Sequence, residues 1–328
     1  MSIRKLSLFG MVLCMVLLFA ACRDTKEVIT QSQSITQQAT GNEYTQKNVL
    51  PQGASGQYDS ISQRSDNSIL FTTIDNNGLP HAFSTADQGG SWKEIENAAV
   101  AATIGNSLSP TKLSATVTLD GTWWVAGANN TGGLSVWKIS ADGKALDVSP
   151  KISTSDPWVD DVYQSQDYIT VRYSTNGTIE LVVLNINSGE IVRQISLKDG
   201  ITVAGPNAWG NKISGYDFTA KQMCEIDLTT GEIVYRYGLP DAAVGGGIEF
   251  VETYAVNNQG EFFTVNGNGI NRLIQETGEL QTFIPYVDGS YDHLYEYQAY
   301  VYLLAANDDS FWISGKLNGE LCLYRYAR

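Results

Sequence analysis

The chain has 328 residues, 43% of them hydrophobic, 10% aromatic and only 17% charged. That globular composition excludes an intrinsically disordered chain, a collagen-like repeat and a disulfide-dense mini-protein. Its 21 basic and 35 acidic residues leave a net charge of −14, a field that repels phosphate backbones and anionic headgroups and so argues against nucleic acid as a partner.

The first element is an export signal. Arg4 and Lys5 precede an apolar run over residues 6–19, shorter than the roughly 20 residues that a membrane-spanning helix needs. Residues 1–21 therefore read as a signal peptide. The run ends Leu18-Phe19-Ala20-Ala21-Cys22, which resembles the bacterial lipobox, with Phe19 where Leu is usual. The resemblance implies that Cys22 carries a lipid anchor and becomes the new N-terminus, placing the chain on the extracytoplasmic face of a bacterial cell membrane. Two acyl chains on one cysteine hold a protein firmly, whereas one binds marginally. Residues 22–42 are rich in Gln, Thr and Ser and read as a flexible tether spanning on the order of 25 Å.

From residue 43 onward, short runs of Val, Ile, Tyr, Phe, Trp and Thr alternate with Gly, Asn and Asp turns, the pattern of an all-β protein. One turn recurs, as Ala141-Asp142-Gly143-Lys144, Asn187-Ser188-Gly189-Glu190, Thr229-Thr230-Gly231-Glu232 and Glu276-Thr277-Gly278-Glu279. A period of about 40 to 50 residues with four strands per unit marks a β-propeller. Units start near Tyr58, Leu113, Val159, Thr202, Ile248 and Tyr295, which gives six blades, each with strands A to D. Asn176-Gly177 supplies a tight B to C hairpin in the third. The sixth unit stops at Arg328 without a fourth strand, and the segment Glu43 to Leu50 looks like the missing one, so an N-terminal strand is expected to close the ring and remove an exposed edge. A seven-bladed ring, with residues 97–111 concealing a degenerate element, is the competing count. Of the four cysteines, Cys224 and Cys322 fall in apolar runs two units apart and read as free buried thiols.

In the first unit, Thr85-Ala86-Asp87-Gln88-Gly89-Gly90-Ser91-Trp92 resembles the Asp box (BNR repeat) found in sialidases, sortilin-like receptors and other propellers. The resemblance implies a structural role for Thr85, Asp87, Gly89, Ser91 and Trp92 on the face opposite the usual site. Over residues 43–328 the repeat style, the closing strand and this box resemble the propeller modules, Asp-box or WD40/YVTN-like, of clostridial-type surface lipoproteins. Some of those modules precede an extracellular solute-binding domain.

Propeller sites usually lie over the channel, at the D to A and B to C connections. Two such connections are chemically rich. Trp158, Asp160 and Asp161 offer an aromatic plate beside carboxylates, and Tyr291, Asp292 and His293 offer a phenol, a carboxylate and an imidazole. Aromatic faces stack on sugar rings while carboxylates accept their hydroxyls, so these six residues are the candidate ligand-binding set. No convincing catalytic, metal or cofactor set accompanies them. A sialidase needs an arginine cluster, whereas Arg172, Arg193, Arg236, Arg272 and Arg325 mostly fall in outer strands, and Thr282-Phe283-Ile284-Pro285 lacks the arginine of an F/Y-R-I-P element. His81 and His293 lie in different units, Asp75-Asn76-Asn77-Gly78 lacks the terminal Glu of a calcium loop, and Gly245-Gly246-Gly247 precedes no helix. Trp123, Trp124 and Trp312 read as packing between blades. The sequence thus favours a non-catalytic binding or scaffold module for a glycan, peptide or partner protein, with a link to solute uptake suggested by the resemblance. A carboxylate-dependent glycoside hydrolase or lyase is the alternative.

Overall fold

Strands of two to ten residues, most of them joined by Gly, Asn or Asp turns, form six antiparallel four-stranded sheets. The structure, a computed structural model, describes residues 44–151, 157–203, 210–239, 254–266, 269–285, 302–306, 309–317 and 320–328. Blade 1 holds β2 (Gln57–Gln63), β3 (Ile69–Ile74), β4 (Pro80–Thr85) and β5 (Lys93–Glu94). Blade 2 holds β6 (Leu108–Val117), β7 (Trp123–Asn129), β8 (Leu134–Ile139) and β9 (Ala145–Asp147). Blade 3 holds β10 (Trp158–Gln164), β11 (Tyr168–Thr175), β12 (Thr178–Asn185) and β13 (Ile191–Ser196). Blade 4 holds β14 (Ile201–Val203), β15 (Lys212–Asp217), β16 (Gln222–Asp227) and β17 (Ile233–Gly238). Blade 5 holds β18 (Tyr254–Val256), β19 (Phe262–Asn266), β20 (Gly269–Ile274) and β21 (Glu279–Pro285). Blade 6 is β22 (Tyr302–Ala305), β23 (Phe311–Leu317) and β24 (Glu320–Ala327), completed by β1 (Thr45–Asn48). The chain is a six-bladed β-propeller.

Ring closure runs as the sequence implies. Thr45 pairs with Ala327 and Asn48 with Tyr324, so β1 supplies the fourth strand of blade 6. Tyr44 packs edge-on against Phe283 and Phe311, and Val49 is buried beside Trp312 and Leu323. The expected starts Ile248 and Tyr295 lie outside the described residues. The first described strands of those blades begin at Tyr254 and Tyr302.

The competing seven-blade count is corrected at residues 97–111. That stretch holds a helix, α1 (Ala98–Ser107), and the start of β6. Asn97 caps α1, its Oδ1 accepting the Ala99 amide at 3.0 Å. Val100, Ile104 and Leu108 recur at the helical period and are buried against Leu70, Ala82 and Trp123. α1 thus packs into the cluster that joins blades 1 and 2.

The core is divided among the six junctions between blades. Trp123 lies in the cluster joining blades 1 and 2, Trp124 in that joining 2 and 3, and Trp312 in that joining 6 and 1. Cys224 and Cys322 are free and buried between blades 3 and 4 and blades 5 and 6, and burial pushes both thiols up to about 12. The recurring glycines join C to D strands at positive φ, as at Gly189 (77°) and Gly231 (75°). In those two turns Asn185 and Asp227 each accept two following backbone amides at 2.8–3.0 Å, a side-chain mimic of a backbone turn.

A donor from the preceding blade reaches several of these turns. Asn97 Nδ2 donates to Ser140 O at 3.0 Å, Lys138 Nζ to Ile186 O at 3.2 Å, and Arg193 Nε to Thr229 O at 2.8 Å.

Candidate functional site

The A strands surround the channel, and an innermost strand leaves backbone groups on its channel edge that need partners. In blades 2 to 4 such partners come from side chains of the preceding blade, and β-bulges in blades 1 and 3 help to aim them. A regular strand points consecutive side chains to opposite faces, whereas a bulge inserts one residue and re-aims its neighbours.

In β10 the register shifts between Val159 and Asp161, leaving Asp160 as the extra residue. Asp160 and Asp161 consequently meet one guanidinium. Asp161 Oδ2 lies 3.0 Å from Arg172 Nη2, and Asp160 Oδ2 lies 3.8 Å from Arg172 Nε. Arg172 also donates from Nη1 to Val203 O of β14 at 2.8 Å, tying blade 3 to blade 4. The Arg172 and Asp161 side chains are each 6% exposed. The expectation that Arg172 lies in an outer strand is corrected, because β11 is the second strand and its guanidinium reaches the A strands of blades 3 and 4.

In β2 the register shifts between Tyr58 and Ser60, with Asp59 as the extra residue. Thr72 Oγ1 donates to Asp59 Oδ2 at 3.0 Å and lies 2.9 Å from Ser60 Oγ. Asp59 Oδ2 also accepts the Ala115 amide of β6 at 3.0 Å, and Ser114 Oγ accepts the Val162 amide of β10 at 3.0 Å. Burial pushes Asp59 up to about 6, against the opposing effect of hydrogen bonds from Ser114, Ala115 and Thr72. Tyr163, two residues beyond Asp161, is buried, and desolvation raises its phenol strongly, with the Arg172 charge opposing.

Of the sequence candidates, Trp158, Asp160 and Asp161 stand on one strand. Trp158 opens β10, at the end of the ring where D strands hand over to A strands, and is 52% exposed. Tyr291, Asp292 and His293 lie outside the described residues. Sequence reasoning missed Asp59 and Ser114. The available signal was an Asp breaking into an apolar A-strand run, as in Tyr58-Asp59-Ser60 and Val159-Asp160-Asp161.

On the opposite end of blade 1, Asp87 organises the turn between β4 and β5. Its carboxylate accepts from Ser91 Oγ at 2.7 Å, Ser91 N at 2.8 Å and Thr85 Oγ1 at 2.7 Å, and these bonds lower it to about 2. Gly89, at φ 87°, gives its amide to Thr85 Oγ1, and a Cβ there would lie 2.9 Å from Val49 Cβ. Trp92 lies edge-on to Trp312 and near Phe71.

His81, on β4, contacts Glu94 through Nδ1 at 3.0 Å and Asp75 through Nε2 at 3.6 Å. Two ring nitrogens facing apart address two carboxylates and do not share one ion. Among the described residues no group of three or more His, Cys, Asp and Glu side chains could hold a metal ion.

The chain matches no protein-family model and no curated protein. Solved structures align with it at low identity. A luciferin-regenerating enzyme aligns with a TM-score of 0.50 at 11% identity, over 87% of this chain and 95% of that one. The Dos1 propeller aligns at 0.39 and 12% identity, over 81% of this chain and 67% of that one. The extracellular domain of a protein named as a one-component system, from B. thetaiotaomicron, aligns at 0.41 and 11% identity, over 85% of this chain and 39% of that one. At these identities the likeness is one of fold alone.

Proposed function

We propose that this chain is a lipid-anchored extracytoplasmic propeller that binds a glycan at the channel mouth and performs no chemistry on it. The observation carrying this reading is the division of labour on β10. Asp161 is committed to the buried Arg172 pair, while Trp158 presents an indole at 52% exposure beside the partly exposed Asp160. An indole face suits a sugar ring, and Asp160 suits its hydroxyls. A peptide or partner protein is the other occupant of the same surface. Anchoring rests on the Arg4-Lys5 start, the short apolar run and Cys22. Among the described residues no helix is long and apolar enough to cross a membrane.

Glycan and peptide arrays probed with the mature chain, combined with a hydrolysis assay, test the reading. Trp158→Ala should weaken glycan binding about tenfold or more, which is roughly 1.4 kcal/mol, and no turnover should be seen. Turnover abolished by Asp160→Asn would establish the hydrolase or lyase alternative instead. Fatty-acid labelling that persists in Cys22→Ala would remove the anchor.

A further inference from the structure

Asp59 is 7% exposed, yet every hydrogen bond it accepts comes from a neutral donor: the Thr72 hydroxyl, the Ala115 amide and the Ser114 hydroxyl. Its own strand adds only the phenol of Tyr58, and β3 adds no ionisable group. From β22 comes Tyr302, whose ring stacks on Tyr58 at 3.7 Å. On β10 stand Asp160 and Asp161, which face Arg172 of β11. β6 carries Lys112 and β23, which also packs against β2, carries Lys316; both side chains lie outside the described set. No cation among the described side chains offsets the buried charge, so neutralisation by a proton is the available relief.

We propose that Asp59 is a proton-operated relay at the channel mouth, taking up one proton on mild acidification and passing the change through Ser114 to the Val162 amide of β10. In the ionised state Ser114 donates its hydroxyl hydrogen to Asp59 while its oxygen accepts the Val162 N–H. A proton from solvent forms an O–H bond on the Asp59 carboxyl. That O–H donates to Ser114 Oγ, and the Ser114 hydrogen rotates away. The Val162 amide then faces an oxygen that accepts two hydrogen bonds in place of one. Since β10 also carries Trp158 and Asp160, proton occupancy at Asp59 is felt on the strand that presents the indole.

Carbon-13 aspartate and nitrogen-15 amide titration of the full chain between pH 4.5 and 8 tests this without any ligand. The Asp59 carboxyl and the Ala115 and Val162 amides should share an inflection near pH 6. Asp59→Asn should remove it from both amides, and Ser114→Ala from Val162 alone. The folded pKa is raised above the ordinary 3.8, so stability is gained as pH falls through about 6. The wild-type folding constant should therefore be about tenfold larger at pH 5 than at pH 7.5, and this gain should vanish in Asp59→Asn. A wild-type carboxyl titrating below about pH 4.5, a reading that needs no variant to fold, overturns the proposal. So does a Val162 inflection that survives Ser114→Ala.

Discussion

The indole N–H of Trp92 donates to the main-chain carbonyl of Val49 at 2.7 Å, joining residues 43 apart in sequence. Val49 directly follows the strand that closes the ring, and Trp92 ends the turn that Asp87 organises. The closing strand is thus held by backbone pairing to β24 on one side and by the turn of blade 1 on the other. Gln88 of the same turn also accepts from Arg325 of β24.

Replacing Trp92 with Phe keeps most of the ring and removes the donor. The expected loss is about 1 kcal/mol of unfolding free energy, read from urea denaturation. Deleting residues 44–50 also removes the β1 ladder and the Tyr44 and Val49 packing, so it should lower the melting temperature far more than Trp92→Phe. An unchanged melting temperature after the deletion would disprove closure by β1.

Gly89→Ala combines two penalties. Its positive φ disfavours a side chain by about 1–2 kcal/mol, and the new methyl meets Val49, adding about 1–3 kcal/mol of overpacking. Gly278, at φ 70°, has open space where a Cβ would stand and incurs the first penalty alone. Chemical denaturation should therefore rank Gly89→Ala as more destabilising than Gly278→Ala, and equal losses would mean that the Val49 contact is soft.

Arg172→Met should cost about 3–5 kcal/mol, because it strips the guanidinium from the buried Asp161 and from the Val203 carbonyl. The double variant Arg172→Met, Asp161→Leu should recover most of that loss, since it removes the stranded charge as well. Denaturation of the two single variants and the double variant measures the coupling.

Asp87 is depressed in the fold to about 2 from its ordinary 3.8. A depressed carboxyl contributes stability above the unfolded value that is lost as pH falls from about 4 towards 2. The stability of wild type should consequently fall more steeply over that window than that of Asp87→Asn. Parallel curves would show that the Ser91 and Thr85 bonds do not favour the ionised form.

The blade count, the closing strand and the C to D turns were legible in the sequence because each depends on local chemistry. Glycines at fixed spacing permit positive φ, Asn and Asp fold back on their own amides, and short apolar runs between such turns have no other way to bury themselves than as strands of a sheet. The helix α1 was not read from the sequence: its Asn97 cap and its Val100, Ile104 and Leu108 period are there, but the surrounding strand pattern masks them. The channel mouth was not legible. A β-bulge is one inserted residue whose existence depends on the register of two strands, so only the fold decides that Asp160 and Asp161 share the Arg172 face and that Asp59 and Ser60 share the Thr72 face. Nor does any sequence spacing place Asp59 against Ala115, 56 residues away. That contact arises because the ring sets successive A strands side by side, where the unpaired backbone of one strand takes its partners from side chains of the preceding blade.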